Sequence, residues 1–422
     1  MPISETQGSA MSKQEDTFDI EAVYKDLHAN PELSFQEHRT AKIVADHLEK
    51  LGYQVTTGIG RTGVVGVMER GEGPTVMLRA DMDALPVEEE TGLPYASTKK
   101  GLRTDGSETP VMHACGHDVH TTCLMGAALR LAEDPTWTGK LMLVFQPAEE
   151  VGQGALEMVK DGIFERLGTP DIVLGQHVSP LPAGFFGVHP GPAFAASDSL
   201  HIELYGKGGH GSRPETTQDP VLMAANFVVR LQDIVSRNIA ATDMAVVTVG
   251  ALNAGTKGNI IPDHAELELS VRTFEPEVRD KVLETIERYA KAEALAVGAE
   301  MEPLIETNYS FPAVVNNPEA CAELTTLLES IPAKVVDIGS VTGSEDVGIF
   351  ALEADAPCCY WLLGGSDPAL FKDARSLKDF QEIVAGLPSN HSPMYAPVIQ
   401  PTLKYGVDAL VLAAKHWLGQ PA

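Results

Sequence analysis

Two adjacent glutamates, Glu149 and Glu150, follow an apolar run at residues 141–145. Neighbouring carboxylates at the end of a buried strand repel each other and lose hydration, so positive charge should lie close to them. Groups that could bind such a charge occur on both sides of the pair, at Cys115, His117, His177 and His391. One thiolate, three imidazoles and one carboxylate are enough to bind two divalent metal ions, which leaves the second carboxylate to act as a base. The pattern predicts a metal-dependent hydrolase.

Each of these residues also has an ordinary structural explanation. Cys115 could be a buried thiol beside a helix cap, His177 a histidine of the core and His391 a histidine of the surface. His113 and His120 lie near Cys115 in the sequence, so the number of histidines alone does not identify the ligands. The residues indicate a site only as a set, because a metal centre needs several donors in one place.

The predicted strands bring most of this set to one edge of a sheet. Short apolar runs alternate with helical patterns, and Asp81, the glutamate pair and His177 each follow a predicted strand. Open α/β sheets bind their ligands outside the carboxyl ends of their strands. Asp81 and its neighbour Asp83 could form a simple turn, but beside a metal such a carboxylate orients a metal-bound imidazole. The pattern therefore predicts one site at this edge.

Hydrophobic periodicity predicts the elements of the first region and of the end of the chain. The expected helices cover residues 18–51, with a break near Asn30 and Pro31, and residues 121–133 and 155–161. The expected strands cover residues 75–78, 141–145, 171–175 and 357–363. This alternation predicts an α/β fold, in which helices flank a mostly parallel sheet.

The pattern changes near residue 193. Strands are expected at residues 200–204, 245–250, 265–272 and 300–306, and helices at residues 220–239 and 277–296. This order predicts a small α+β, ferredoxin-like domain whose antiparallel sheet has one exposed face. The predicted organisation is a flexible tail (1–18), a metal-binding catalytic domain (19–194 and 308–422) and an inserted lid or dimerisation domain (195–307).

The composition and the charge of the chain argue against several classes of protein. The chain has 422 residues, of which 44% are hydrophobic, and a formal net charge of −28. This charge argues against binding to nucleic acid or to an anionic membrane. The sequence has neither a membrane-spanning run nor the apolar segment of a secretory signal, and its five cysteines lack a disulfide framework. We therefore expect a soluble cytoplasmic protein with free thiols.

The inserted region contains further candidates. A glycine-rich run surrounds His210, which suggests a loop that delivers an imidazole; a hairpin with an incidental histidine is the alternative. Asn259 and Arg272 are candidates for binding a substrate carboxylate, because amide and guanidinium groups donate hydrogen bonds to it. Loop structure and surface charge explain both residues equally well. Arg213 and Arg230 lie in the same region and are rivals of Arg272.

Four motifs can be compared with known families. They are RADMDALP at residues 79–86, MHACGHD at 112–118, QPAEE at 146–150 and GHGS at 209–212. In this order they resemble the M20 metallopeptidase family, most closely its amidohydrolase branch of aminoacylases, hippurate hydrolases and auxin-conjugate hydrolases. The resemblance extends from residue 20 to the end of the chain.

The resemblance implies a site with two metals, an inserted lid or dimerisation domain and hydrolysis of an N-acyl amino acid. It implies that Glu149 is the base and that the metal ligands are Cys115, His117, Glu150, His177 and His391. The segment 367–389 is longer and more charged than the family pattern, and residues 394–400 lack acidic residues often found there. Both departures adjoin His391 and concern the choice of substrate.

The function that the resemblance implies is hydrolysis of N-acyl amino acids, and we expect a homodimer. Two metal ions activate water, Glu149 transfers its proton, and a metal together with His210 of the partner subunit stabilises the oxyanion. The thiolate and imidazoles suit zinc, whereas the carboxylate would also accept manganese. A dipeptidase or carboxypeptidase of the same family is the alternative. A non-catalytic metal-binding protein is disfavoured, since it has no need of the free carboxylate of Glu149.

Overall fold

A computed structural model of the chain describes residues 18–420. The predicted tail lies outside these residues, apart from Phe18. In this part of the chain the α-helices are α1 Ile20–Ala29, α2 His38–Lys50, α3 His117–Glu133, α4 Gly154–Lys160, α5 Ile163–Leu167, α6 Pro220–Asp233, α7 Pro276–Ala296, α8 Pro318–Leu328, α9 Gly348–Ala354, α10 Leu377–Gly386 and α11 Thr402–Trp417. None of the helices within residues 18–420 combines the length and the apolar composition needed to cross a lipid bilayer.

The strands form one large sheet, one medium sheet and several short pairs. They are β1 Gln54–Ile59, β2 Gly63–Arg70, β3 Thr75–Asp81, β4 Lys100–Leu102, β5 Glu108–Pro110, β6 Gly139–Gln146, β7 Ile172–Pro182, β8 Phe185–Gly187, β9 Gly191–Phe194, β10 Ala196–Tyr205, β11 Gly209–His210, β12 Ala245–Ala254, β13 Ile260–Ile261, β14 His264–Thr273, β15 Leu304–Phe311, β16 Val314–Asn316, β17 Lys334–Val336 and β18 Cys358–Ser366.

The large sheet has the strand order β1-β2-β6-β3-β7-β18-β8-β17. Its four central strands, from β6 to β18, are parallel, whereas β1, β2 and β6 pair antiparallel at one side. Helices cover both faces: Leu78 and Leu143 pack in one hydrophobic cluster, and Met77 and Val144 in another. Burial on both faces explains why these strands are continuous apolar runs in the sequence. The predicted α/β fold class is confirmed, with a sheet that is mixed at its edges.

Two boundaries differ from the prediction at places that matter for the site. The strand predicted to end at residue 175 continues as β7 to Pro182, because β18 pairs with it over this length. His177 therefore lies inside a strand, opposite Leu362, and does not follow one. The helix predicted from residue 121 begins four residues earlier, at His117. Its first turn is stabilised by Asp118, whose carboxylate accepts a hydrogen bond from the Val119 amide at 2.9 Å.

The second sheet has the order β12-β14-β10-β15, and all three of its strand pairs are antiparallel. Along the chain its elements run strand, helix, strand, strand, helix, strand. The α6 and α7 helices pack with the inward side chains of the sheet, among them Leu200, Ile202 and Leu204 of β10. The predicted helix at 220–239 ends at Asp233 and is followed by a π-turn, Ile234–Asn238.

Candidate metal centre

The six residues proposed as metal ligands and base lie together at one edge of the large sheet. The Sγ of Cys115 is 3.5 Å from Nε2 of His177. The Nε2 of His117 is 3.6 Å from the Glu150 carboxylate and 3.9 Å from the Glu149 carboxylate. The Nε2 of His391 is 3.3 Å from the other oxygen of Glu150. Residues that are up to 276 positions apart in sequence thus form one cluster, although their individual roles stay predictions.

The donor atoms of this cluster fit metal ions. Three groups have all their donor atoms within 4.8 Å of one another, namely Cys115 with His117 and His177, Cys115 with Glu150 and His391, and His117 with Glu149 and Glu150. Neither ring nitrogen of His117 makes a hydrogen bond, and one oxygen of Glu150 is also buried without a partner. Nδ1 of His117 lies 3.3 Å from the Asp83 carboxylate, so Nε2 of His117 and the Glu150 oxygen are the buried acceptors that point to a missing positive partner.

The charge balance of the site leads to the same conclusion. Among the described residues, its buried carboxyl groups outnumber its one buried guanidinium, that of Arg79. Burial raises the pKa of Glu149 well above its usual value, and the neighbouring Glu345 and Glu150 raise it further. Burial likewise raises the pKa of Glu150 to about 8 and the pKa of the Cys115 thiol well above its usual value. Nearby cations would favour the charged forms of all three groups.

The backbone of the glutamate pair is held by two other carboxylates. Asp83 accepts hydrogen bonds from the amides of Glu149 and Glu150, at 3.0 and 3.1 Å. Glu37 accepts one from the amide of Ala148 at 2.9 Å. Ala148 has a φ of 51°, in the left-handed region that a residue with a side chain rarely adopts. The tight turn after β6 thus depends on these buried hydrogen bonds.

Asp81 ends β3 and contacts two histidines. One of its oxygens is 2.5 Å from Nδ1 of His120, and the other is 3.7 Å from Nε2 of His117. The guanidinium of Arg79 lies 2.7 Å from that second oxygen and also contacts Glu345 at 2.7 Å and Asp346 at 3.0 Å. The short contact of Asp81 is to His120, whereas the carboxylate beside Nδ1 of His117 is that of Asp83, at 3.3 Å. The orienting role of Asp81 toward a metal-bound imidazole remains a prediction.

A cavity of about 440 Å³ opens beside the cluster. Glu149 and Glu150 line it, and apolar side chains form another part of its wall: Phe194, Tyr309, Phe311, Val341 and Leu362. Arg272 also lines the cavity, and its Nη1 donates to the carbonyl of Thr342 at 3.0 Å and to Oγ of Ser344 at 2.9 Å. The cavity therefore combines carboxylates, an apolar wall and a cation.

The rival arginines lie elsewhere. Arg230 forms an ion pair with Glu293 at 3.0 Å on the neighbouring helix, and Arg213 lies 3.6 Å from Glu215. Neither contributes to the wall of the cavity in the described chain. Of the three arginines considered from the sequence, Arg272 alone lines the cavity next to Glu149.

His210 and Asn259 are close to each other but do not line this cavity in the described chain. The strands β11 and β13 pair, and the amide of Gly211 donates to the carbonyl of Asn259 at 2.9 Å. Nδ1 of His210 accepts a hydrogen bond from the Ser212 amide at 3.1 Å. Both side chains are exposed to solvent. Within one chain the structure therefore separates Asn259 from Arg272, although both were predicted to bind one carboxylate.

Several residues of the site were missed in the sequence. Arg79 contacts Glu345 and Asp346, which lie in the loop before α9, and Asn390 contacts the backbone at Cys115. Glu345 and Asp346 are a second pair of adjacent acidic residues, in a weakly polar stretch of the sequence. This pattern was a signal that could have identified them. Nothing in the local sequence marked Asn390 beyond its position before His391.

Comparison with known proteins gives consistent matches. The model of peptidase family M20/M25/M40 matches residues 77–379. A hippurate hydrolase of Campylobacter jejuni is 45% identical over 72% of this chain and 76% of its own length. A thermostable carboxypeptidase of Saccharolobus solfataricus is 38% identical over 81% of this chain and 84% of its own. A dinuclear metal-binding peptidase of Bacillus subtilis has a similar structure, with a TM-score of 0.74 and 28% identity over 94% of this chain and 97% of its own.

Proposed function

The chain belongs to peptidase family M20/M25/M40, and on this basis we propose that it hydrolyses the amide bond of N-acyl amino acids with two divalent metal ions. One observation carries the proposal. The predicted donors surround a free carboxylate, Glu149, beside a cavity that has both an apolar wall and an arginine. A binding protein would need the donors, but it would not need an additional carboxylate facing the cavity.

In this proposal the metal ions are held by Cys115, His117, Glu150, His177 and His391. When bound, the two ions supply Lewis-acid chemistry, which lowers the pKa of water toward neutrality. Zinc is the proposed metal, because a thiolate and three imidazoles are among its preferred ligands, and manganese is the alternative. The buried Nε2 of His117, which has no hydrogen-bond partner, supports the assignment of that residue as a ligand.

Glu149 acts as the general base. Its carboxylate accepts a proton from the attacking water and later donates that proton to the leaving nitrogen. Its backbone amide is fixed by Asp83, and its side chain lines the cavity, so the carboxylate is held where a substrate can reach it. Asp81 serves as the orienting carboxylate for the imidazoles next to it.

Arg272 binds the carboxylate of the amino acid part. A guanidinium has five N–H donors, and the bonds of Arg272 to Thr342 and Ser344 use only its Nη1, so other donors remain for a bidentate contact. The apolar wall, with Tyr309 and Phe311 among its members, would receive the acyl group. The substrate class that fits is an amino acid with an apolar acyl group.

The active form is proposed to be a homodimer in which His210 and Asn259 reach the site of the partner subunit. Residues 195–307 are proposed to be the inserted lid and dimerisation domain, whose last strand, β15, continues to Phe311. Residues 19–194 with 308–422 are proposed to be the catalytic domain. The edge strand β12 supports a contact between subunits because its outer side is unpaired in the described chain. Helix α6 exposes Leu222 and Val229, which are 55% and 72% accessible. We further propose a cytoplasmic location, where the thiols would stay reduced.

The alternative function is that of a dipeptidase or carboxypeptidase with the same site residues. The similarity to a thermostable carboxypeptidase is the observation in its favour. Such a substrate has a charged amino group or a second peptide unit in place of an apolar acyl group. An apolar wall favours an uncharged acyl group over a charged amino group, because it does not replace the water that the charge would lose. The acyl amino acid is therefore the first choice.

Metal analysis combined with a substrate panel tests the proposal. The purified protein should contain up to two divalent ions per chain, and a chelator should abolish activity until metal is restored. The loaded protein should hydrolyse some members of a panel of N-acetyl, N-benzoyl and long-chain acyl amino acids. Cleavage of dipeptides alone would support the alternative, and a metal-loaded protein that cleaves neither group would contradict both.

A further inference from the structure

The backbone amide and carbonyl of Val178 form hydrogen bonds with side chains from three segments of the site. Its amide donates a hydrogen bond to Nε2 of His120 at 2.7 Å. Its carbonyl accepts hydrogen bonds from Nδ1 of His177 at 2.7 Å and from Nδ2 of Asn390 at 3.1 Å. The residue follows His177 in β7, and its own side chain is buried. Any movement of this backbone would therefore move His177.

His120 cannot be a metal ligand in this arrangement, although its donor atoms form a close group with Asp81 and His117. Its Nε2 accepts the Val178 amide and therefore carries no hydrogen. Its Nδ1 must then hold the hydrogen, which it donates to Asp81 at 2.5 Å. With both nitrogens engaged, His120 has no free lone pair for an ion. Its ring instead packs against two candidate ligands, 4.5 Å from the ring of His177 and 5.3 Å from that of His117.

The hydrogen bond to the Val178 carbonyl determines which nitrogen of His177 faces the site. Because Nδ1 of His177 donates to this carbonyl, the lone pair is on Nε2. That nitrogen lies 3.5 Å from Sγ of Cys115. The direction of the imidazole thus depends on the position of the Val178 backbone, which is set in turn by its bonds to His120 and Asn390.

Asn390 joins two further segments to the same point. The two hydrogens of its amide go to the carbonyls of Cys115 and Val178, at 3.0 and 3.1 Å. The next residue, His391, donates its backbone amide to the carbonyl of Ala114 at 2.8 Å and has a φ of 73°. A left-handed backbone at a residue with a side chain costs free energy, so local contacts must hold it there.

We propose that His120 and Asn390 are positioning residues that act through the Val178 backbone. They hold Nε2 of His177, Sγ of Cys115 and the backbone of His391 in the geometry that binds metal. This inference rests on the proposed function, because it takes those three residues to be ligands. Hydrogen-bond partners of ligands typically change metal affinity about 10-fold to 100-fold when they are removed.

Cobalt binding by the metal-free protein tests the inference without any measurement of activity. Asn390→Asp keeps the shape of the side chain but removes the two donors, and Gln54→Glu makes the equivalent amide-to-carboxylate change at an exposed position of β1. We expect Asn390→Asp to weaken Co²⁺ binding at least about 10-fold, with a smaller thiolate-to-cobalt absorption band. Gln54→Glu should bind like the wild type. Equal affinities and spectra for both variants would overturn the role of Asn390.

Two substitutions of His120 separate its two hydrogen bonds. A glutamine oxygen can replace Nε2 and accept the Val178 amide, whereas an asparagine amide can replace Nδ1 and donate to Asp81. If the bond to Val178 is what positions His177, His120→Gln should retain more Co²⁺ affinity than His120→Asn. The opposite order, or equal affinity in both variants, would overturn the role assigned to His120. Thermal unfolding of the metal-free variants checks that each one is folded.

Cys115→Ala distinguishes a failure of this inference from a failure of the proposed function. The thiolate-to-cobalt band should disappear in this variant if Cys115 is a ligand. A band that persists in Cys115→Ala would remove the ligand assignment on which the proposed function depends. A band that is lost in Cys115→Ala but unchanged in Asn390→Asp and His120→Asn would overturn the positioning inference alone.

Discussion

The edge of the large sheet and the loops of the second sheet contain the two parts of the proposed site, and they differ in how firmly their side chains are held. At the sheet edge, Asp81, Glu149 and His177 lie in or next to buried strands and loops with paired backbones. In the separate two-stranded pair of β11 and β13, His210 is exposed and its ring is bonded only to its near neighbour Ser212 in the described chain. The side chains of the first part are therefore preorganised, whereas the exposed His210 must still meet a substrate or a partner subunit.

This difference suggests that the two parts have different roles in the reaction. Preorganised charges and donors are most effective where a reaction changes charge, because they need no rearrangement at that moment. Exposed loops tolerate movement and can close on a substrate after it binds. We therefore expect substitutions at the sheet edge to affect the chemical step, and substitutions on the second sheet to affect assembly and substrate preference.

The largest effect is expected at the base. Glu149→Gln should lower kcat at least about 100-fold, because an amide cannot accept the proton, while metal content and thermal unfolding stay near those of the wild type. Steady-state kinetics and metal analysis measure these quantities. Glu165→Gln, in the exposed part of α5, is the matched control and should have normal activity. Near-normal turnover by a fully metallated Glu149→Gln protein would remove Glu149 from its proposed role.

Subunit mixing tests whether the second part serves the partner. His210→Ala and Glu149→Gln should each be nearly inactive as pure proteins. After equal mixing and random exchange between twofold dimers, about a quarter of the active sites should contain both intact residues. Activity should recover to about that fraction of the wild-type value. No recovery, despite exchange verified by native mass spectrometry, would mean that His210 works in its own chain or has no role in catalysis.

The dimer contact itself can be weakened at α6. Val229→Asp places a charge on an exposed apolar position, and it should shift the protein toward the monomer without a large change in thermal stability. Activity should then fall at low protein concentration and recover at high concentration. Leu295→Asp on α7 is the control, because Leu295 is 82% accessible but lies on the other helix. A monomeric Val229→Asp protein with full activity would show that the site is complete in one chain.

The two parts also differ in how much of them could be predicted from the sequence. The apolar runs of β3 and β6 are buried on both faces, so hydrophobicity alone located them. The five proposed ligands and the proposed base Glu149 were singled out because such residue types are uncommon together in one place. Arg79 could not be connected with Asp346, since 267 positions separate them and only the fold brings them within 3.0 Å.

The histidines of α3 and the loop before it show a second limit of sequence reasoning. His113, His117 and His120 are equivalent as residue types, and the sequence left the choice among them to the family resemblance. Only the hydrogen bonds distinguish His120 from His117. Both nitrogens of His120 are engaged, whereas Nε2 of His117 has no hydrogen-bond partner and faces Glu149 and Glu150. The extension of β7 past His177 was missed for a related reason, because pairing with β18 maintains the strand where the sequence becomes polar.

The smallest effect is expected at Arg272, and it concerns preference more than rate. Arg272→Ala should reduce the preference for substrates with a free α-carboxylate over the matching amides by about 10-fold, the loss of one charge-assisted contact of about 1.4 kcal/mol. The ratio of kcat/KM for the paired substrates measures this. Arg230→Ala, which breaks an ion pair with Glu293 away from the cavity, is the control and should leave the ratio unchanged.

Arg272 also holds Thr342 and Ser344, so a purely structural role would lower kcat/KM equally for both substrates. An equal loss would therefore remove Arg272 from substrate recognition and assign it to the junction between β14 and the loop that contains Glu345.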